Sequence, residues 1–227
     1  MRKLAHTALL LSICGFAHSH NTLTDDETNA GWQLLFDGMT TSGWRNYQSD
    51  AISEGWQAVD GELRRVAQSG DIVTTKAYLN FELTLDAKVL EGGNSGVFFR
   101  AGEKDPYIFL SAPEIQILDD ARHPDGQREL TSAGSNYGLH AAPRGIVRPA
   151  GEWNSIRLLV EGKQVTQWLN GTQICTYEIG SADWLARLAN SKFATWPNYG
   201  RLDSGHIGLQ DHGNPVSFRN IKIRVID

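Results

Sequence analysis

A succession of short runs in which apolar and polar residues alternate one for one most limits what this chain can fold into. Phe81 to Val89 alternates in period two along its whole length, as a half-buried strand does. Ser95 to Arg100, Pro113 to Leu118, Ser155 to Val160, Gln164 to Leu169, Gln173 to Tyr177, His206 to Gln210 and Val216 to Val225 continue the pattern, separated by Gly, Asn and Asp. Asn170-Gly171 stands between two of these runs, and both residues accept the positive φ that a two-residue hairpin demands. A single stretch, Ala182 to Ala189, has helical spacing, with Asp183 as a candidate cap and Trp184, Leu185 and Leu188 as its apolar stripe. No βα alternation is sustained. The expected class is therefore all-β: a jelly-roll sandwich of two antiparallel sheets with one short helix near 183–190.

The 227 residues suffice for one core, and a net charge of −5 disfavours nucleic-acid binding, which needs clustered basic charge. Arg2 and Lys3, the apolar stretch Leu4 to Ala17 and the small residues of Ala17-His18-Ser19 have the order of a secretory signal peptide, too short for a membrane span. Residues 1–19 are expected to be a leader, 20–30 a polar linker and 31–227 the folded domain, periplasmic or secreted. A lipoprotein signal at Leu11-Ser12-Ile13-Cys14 fits less well, because Ile13 is bulky before the cysteine. Removal of the leader leaves Cys175 without a disulfide partner, and its apolar surroundings read as core.

Polar residues at i and i+2 within an apolar strand mark a face that meets something other than the core. Glu114 and Gln116 share one face, with Ile115 and Ile117 on the other. Asn94, Gly96, Phe98 and Arg100 share parity, as do Gln210 and His212. Neighbouring strands would present these groups on one concave surface. Asp119 is off register by one residue and reaches that surface only through a bulge. Each residue alone reads equally as a solvated edge, and the three strands together favour a site.

Among the other histidines, His123 reads as an exposed loop residue, His140 as a candidate for a groove mouth and His206 as a turn partner. No zinc-type His-x-Glu-x-x-His, cysteine cluster, EF-hand loop, phosphate loop or Gly-x-Ser-x-Gly elbow is present. No cofactor has motif support, although Glu114, Asp119 and histidines gathered in space would suit a divalent ion. Trp196, in the loop Trp196-Pro-Asn-Tyr199, is placed to stack on a sugar, whereas most of the remaining tryptophans read as packing.

Trp32 to Asp37 with Gly43-Trp44, Asn94 to Arg100, Glu114 to Asp119, Gly151 to Asn154, Asn170-Gly171, Gly205 to Gly213 and Val216 to Ile223 together resemble a known exported family. The chain is similar, over residues 31 to 227, to the 3-keto-disaccharide hydrolase domain family, a concanavalin A-like lectin/glucanase jelly roll. The resemblance implies cleavage of glycosides already oxidised to a ketone at C3, with a sugar 3-dehydrogenase upstream. A 3-ketone acidifies the C2 proton, so its removal, elimination of the C1 substituent and addition of water sum to hydrolysis. On that reading Glu114 or His212 takes the proton, Arg100 and Gln116 steady the enediolate and ring oxygens, and Asp119 assists the leaving group. Asn94 and Gln210 face the sugar, and Tyr137, His140 and Trp196 form groove walls. Retaining glucanases of the same fold read Glu-x-Asp-x-Glu or Glu-x-Asp-x-x-Glu, whereas here the middle position is Gln116 and the last Asp119, which disfavours double displacement. A non-catalytic carbohydrate-binding module and a conventional glucanase are the competing readings.

Overall fold

A computed structural model describes residues 20–227. The leader assigned to 1–19, with Cys14, lies outside the described residues. The strands are β1 (Trp32–Leu34), β2 (Trp44–Asn46), β3 (Trp56–Val59), β4 (Glu62–Arg65), β5 (Ile72–Tyr78), β6 (Phe81–Val89) and β7 (Asn94–Ala101). They continue as β8 (Glu114–Leu118), β9 (Asn154–Glu161), β10 (Gln164–Leu169), β11 (Thr172–Glu178), β12 (Gly205–Leu209) and β13 (Val216–Val225). Two helices, α1 (Asp25–Asn29) and α2 (Ala182–Ala189), complete the regular elements apart from short 3-10 turns.

Eight strands form one antiparallel sheet in the order β11-β10-β9-β6-β13-β4-β3, with β1 on β13, and five form a second in the order β2-β5-β12-β7-β8. The two stack as the expected jelly-roll sandwich. Inward positions alternate along each strand: Phe81, Leu83, Leu85, Ala87 and Val89 from β6 meet Val97, Phe99, Ile115, Ile207 and Leu209 from the smaller sheet. Leu83 and Leu158 are 0% exposed, so truncating either to alanine costs about 2–5 kcal/mol. Asn170 and Gly171 sit at φ 50 and 80, the two positive values that close the β10–β11 hairpin.

Three local readings change. α2 is capped by the hydroxyl of Ser181, not by Asp183, and Leu185 is exposed while Trp184 and Leu188 are buried. Residues 20–30 are joined to the domain, since Asn21 and Asn220 exchange hydrogen bonds of 2.8 Å and Glu27 pairs with Lys222 at 2.7 Å. Trp153 and Trp168 are half-buried under cations, leaving Trp44, Trp56 and Trp184 as the buried tryptophans.

What places a site is the outer face of the smaller sheet. The long connection between β8 and β9 folds back along β8: Gln116 N–H donates to Ser135 O, Gly134 N–H to Gln116 O and Tyr137 N–H to Glu114 O. That pairing covers a sheet edge and carries Tyr137 and the turn Pro124–Gln127 over the strands.

Candidate active site

A cavity of about 180 Å³ opens on this outer face, lined by Asn94, Glu114, Gln116, Gln210 and His212 from the strands and their extensions. Phe109, Asp125, Tyr137 and Lys192 close it from the covering loops. It is below the roughly 300 Å³ at which drug-sized pockets begin, which suits a single ring.

Glu114 forms the floor. Its side chain leans back over Gly96, where an added Cβ would stand 2.1 Å from Oε1. Burial pushes its carboxyl up to about 8, with Asp71 and Asp125 adding to the effect and Lys192 opposing it. Roughly nine-tenths of such a group is protonated at pH 7. His212 sits at the mouth, lowered from the ordinary imidazole range by desolvation and then by the neighbouring His123, whose ring lies 6.2 Å away. A protonated carboxyl and a neutral imidazole thus face one cavity, an acid and a base set by environment.

Asp211 holds the loop that carries His212. Its carboxylate accepts from Arg65 Nε (2.7 Å) and from the backbone N–H of Ser69, Gly70 and Gly213. These bonds outweigh its burial and keep it below the usual carboxylate range. Lys192 Nζ lies 4.3 Å over the Tyr137 ring, lowered by desolvation, with attraction to Asp125 opposing that shift. Tyr137 donates to Asp125 Oδ2 at 3.3 Å.

Three amides are left with spare hydrogen-bonding capacity. Gln116 donates to Thr131 O at 3.2 Å and Asn94 meets His123 Nε2 at 3.4 Å, yet the opposite end of each amide has no protein partner. Gln210 Oε1 is unpartnered as well. Buried polar atoms are costly unless paired, so three unpaired amide ends around one small cavity suit a ligand rich in hydroxyl groups.

Six of the expected residues therefore converge: Asn94, Glu114, Gln116, Tyr137, Gln210 and His212. Four do not. Arg100 has φ 52, and between Phe98 and Ala101 β7 holds one more residue than β12 does between Gly208 and His206. This bulge turns Arg100 to the opposite face, where it donates to the Leu79 and Gly162 carbonyls, while Ala101 rejoins the face of Phe98. No bulge follows Gln116. Asp119 instead accepts from Gly92 N–H (2.8 Å) and Ala121 N–H (3.1 Å), fixing turns beside a larger cleft of about 590 Å³. His140 stacks on Tyr177 at 4.5 Å, and its Nδ1 lies 2.9 Å from Asn136 Nδ2, so it is a packing residue. Trp196 stands one ring behind the cavity, against Phe109 at 5.7 Å. Phe109, Asp125 and Lys192 escaped the sequence reading because all three ride on loops, where alternation says nothing about direction.

Among the described residues no three or more His, Cys, Asp or Glu side chains gather as a metal site. No helix among them is long and apolar enough to cross a membrane. Cys175 is buried and free, with burial raising its thiol above the ordinary range.

The model of the 3-keto-alpha-glucoside-1,2-lyase-like domain matches residues 31–224. The chain belongs to that family. A 3-keto-disaccharide hydrolase of Bacteroides thetaiotaomicron is 34% identical, over 87% of this chain and 79% of its own length. Two crystal structures from Parabacteroides distasonis, both of provisionally named glycosyl hydrolases, share the fold. One is 35% identical at a TM-score of 0.87 and covers 92% of this chain and 100% of its own. The other is 30% identical at 0.67, covering 86% and 99%. Family membership agrees with the resemblance drawn from the sequence motifs.

Proposed function

We propose that this family member cleaves glycosides whose sugar carries a ketone at C3, by elimination across C1 and C2 followed by addition of water. The observation that carries this reading is the convergence of a buried carboxyl, an imidazole and an ammonium on one ring-sized cavity. The relative's name supplies the substrate class, and the arrangement supplies acid, base and cation for it. Neutral His212 takes the proton from C2. The electron pair moves onto the C3 oxygen, where Lys192, with Gln116 beside it, stabilises the developing charge in the role the sequence assigned to Arg100. Collapse of the enediolate breaks the C1–O bond, and Glu114 protonates the departing oxygen. Water then adds to C1, giving its proton to Glu114, while the imidazolium returns a proton to C2. Atoms and charges balance, and both groups end as they began.

Asp119 is tied to two backbone N–H groups and Gln116 cannot ionise, so the carboxylate pair of the retaining-glucanase motif is not assembled from these positions. Export is part of the proposal and rests on the leader pattern of residues 1–19. It predicts a mature chain whose N-terminal sequencing begins at His20.

The functional test offers matched 3-keto and unoxidised glucosides to the protein. Turnover of the keto compound alone is expected. Loss of at least about 10²-fold in kcat is expected for Glu114→Ala, His212→Ala and Lys192→Met, each still folded by circular dichroism. Cleavage of the plain glucoside points to a conventional glucanase, binding without turnover to a lectin-like module, and wild-type rates in the variants to a different site.

A further inference from the structure

The cavity holds one ring, and the other ring of a disaccharide must lie outside it. The wall residue Phe109 continues outward into an aromatic stack. Its ring lies 5.2 Å from that of Tyr107 with the planes only 4° apart, and Tyr107 is 59% exposed. Behind Phe109 stand Trp196 at 5.7 Å and then Phe193, 4.9 Å from Trp196. A row of rings thus runs from the buried core, past the cavity wall, to an outer aromatic face.

The segment that carries Tyr107 is held in place. The Tyr47 hydroxyl lies 2.8 Å from both the Gly102 and Asp105 carbonyl oxygens, and Gln48 Nε2 donates to Glu103 O and Asp105 O. Asn198 Nδ2 donates to the Asp105 carboxylate at 2.9 Å. An exposed ring on a fixed loop loses little freedom when something stacks on it, which is what a recognition surface requires. Exposed apolar area continuous with a polar ligand pocket marks a binding site more than a folding residue.

We infer that Tyr107, backed by Phe109, is the platform for the leaving-group ring, a second pyranose whose apolar face stacks on the exposed phenol ring. This rests on the proposed function and deepens it: the cavity reads the oxidised ring through hydrogen bonds, and the platform reads the departing ring by shape. The occupant is a sugar ring because the adjoining cavity, with its unpaired amide ends, is built for polyols, and because a pyranose offers one flat C–H face.

The test compares a 3-keto-disaccharide with 3-keto methyl glucoside, which lacks the second ring, in wild type, Tyr107→Ala and Tyr107→Phe. Tyr107→Ala is expected to raise KM for the disaccharide about 3- to 10-fold and to leave kcat and the methyl glucoside kinetics unchanged. Tyr107→Phe keeps the ring and is expected to behave as wild type. An unchanged disaccharide KM in Tyr107→Ala overturns the inference, as does an equal rise for both substrates. A 3-keto phenyl glucoside run alongside tests the other occupant: a KM rise for it with none for the disaccharide makes the platform an aromatic-binding one and also overturns the inference. Wild-type protein inert to both 3-keto substrates overturns the functional reading itself, and is recognised before any variant is made.

Discussion

Replacing Gly96 with alanine is the smallest change that reaches the centre of the site. Gly96 lies outside the positive-φ region, so alanine fits the backbone and the whole effect comes from one methyl group. That methyl would stand 2.1 Å from Glu114 Oε1, 2.7 Å from Cδ and 2.8 Å from Cγ. Comfortable contacts begin near about 3.5 Å, so the carboxyl must retreat by roughly 1 Å. A misplacement of that size costs about 10²-fold in rate. Overpacking costs about 1–3 kcal/mol, and a domain of this size moves about 2–4 °C per kcal/mol, so the melting temperature falls by roughly 2–12 °C. Calorimetry and steady-state kinetics on a 3-keto glucoside measure both numbers. Glu114→Ala removes all three of those atoms. In that background Gly96→Ala is expected to lose most of its effect on stability, because the clashing atoms have gone. Wild-type kcat in Gly96→Ala, or an undiminished stability loss in the double variant, refutes the reasoning.

Three further outcomes follow from the same geometry. The folded Glu114 carboxyl binds its proton far more tightly than the unfolded chain does, so this residue lowers stability as pH rises from about 4.5 through about 8, by up to about 5 kcal/mol. Glu114→Gln is therefore expected to melt above wild type at pH 9 and level with it at pH 4, and equal melting at both pH values contradicts that burial. The profile of kcat/KM is expected to rise through a His212 pKa below the ordinary 6.5 and to fall through a Glu114 pKa near 8. A rate still climbing at pH 9 removes Glu114 as the acid. Asp119→Ala strands the N–H groups of Gly92 and Ala121, costing about 1–3 kcal/mol in a denaturant melt, while kcat stays within about twofold of wild type.

Alternation alone located the later strands, from β6 onward, and the turn at Asn170-Gly171, because burial on one face leaves its mark at every second residue. Parity puts Asn94, Glu114, Gln116, Gln210 and His212 on one face, and all five line one cavity. It failed at Arg100, where one extra residue reverses the side chain's direction, and nothing in Ser95 to Arg100 announces a bulge. It was silent on Asp125 and Lys192, since loops have no period. Asp211 of the Gly205 to Gly213 segment accepts from Arg65, Ser69, Gly70 and Gly213 and so holds the loop that carries His212. In the sequence Gly96 reads only as a member of its face, and its role appears once the neighbouring strand brings Glu114 across it.

The most direct test of the account is turnover of a 3-keto glucoside in deuterium oxide, with the released 3-keto sugar examined by NMR. His212 is exposed at the cavity mouth, so the proton it takes from C2 exchanges with solvent before the imidazolium returns one to the enone, and the product is expected to carry deuterium at C2. A product that keeps its original C2 proton throughout would contradict elimination and return the protein to direct displacement at C1.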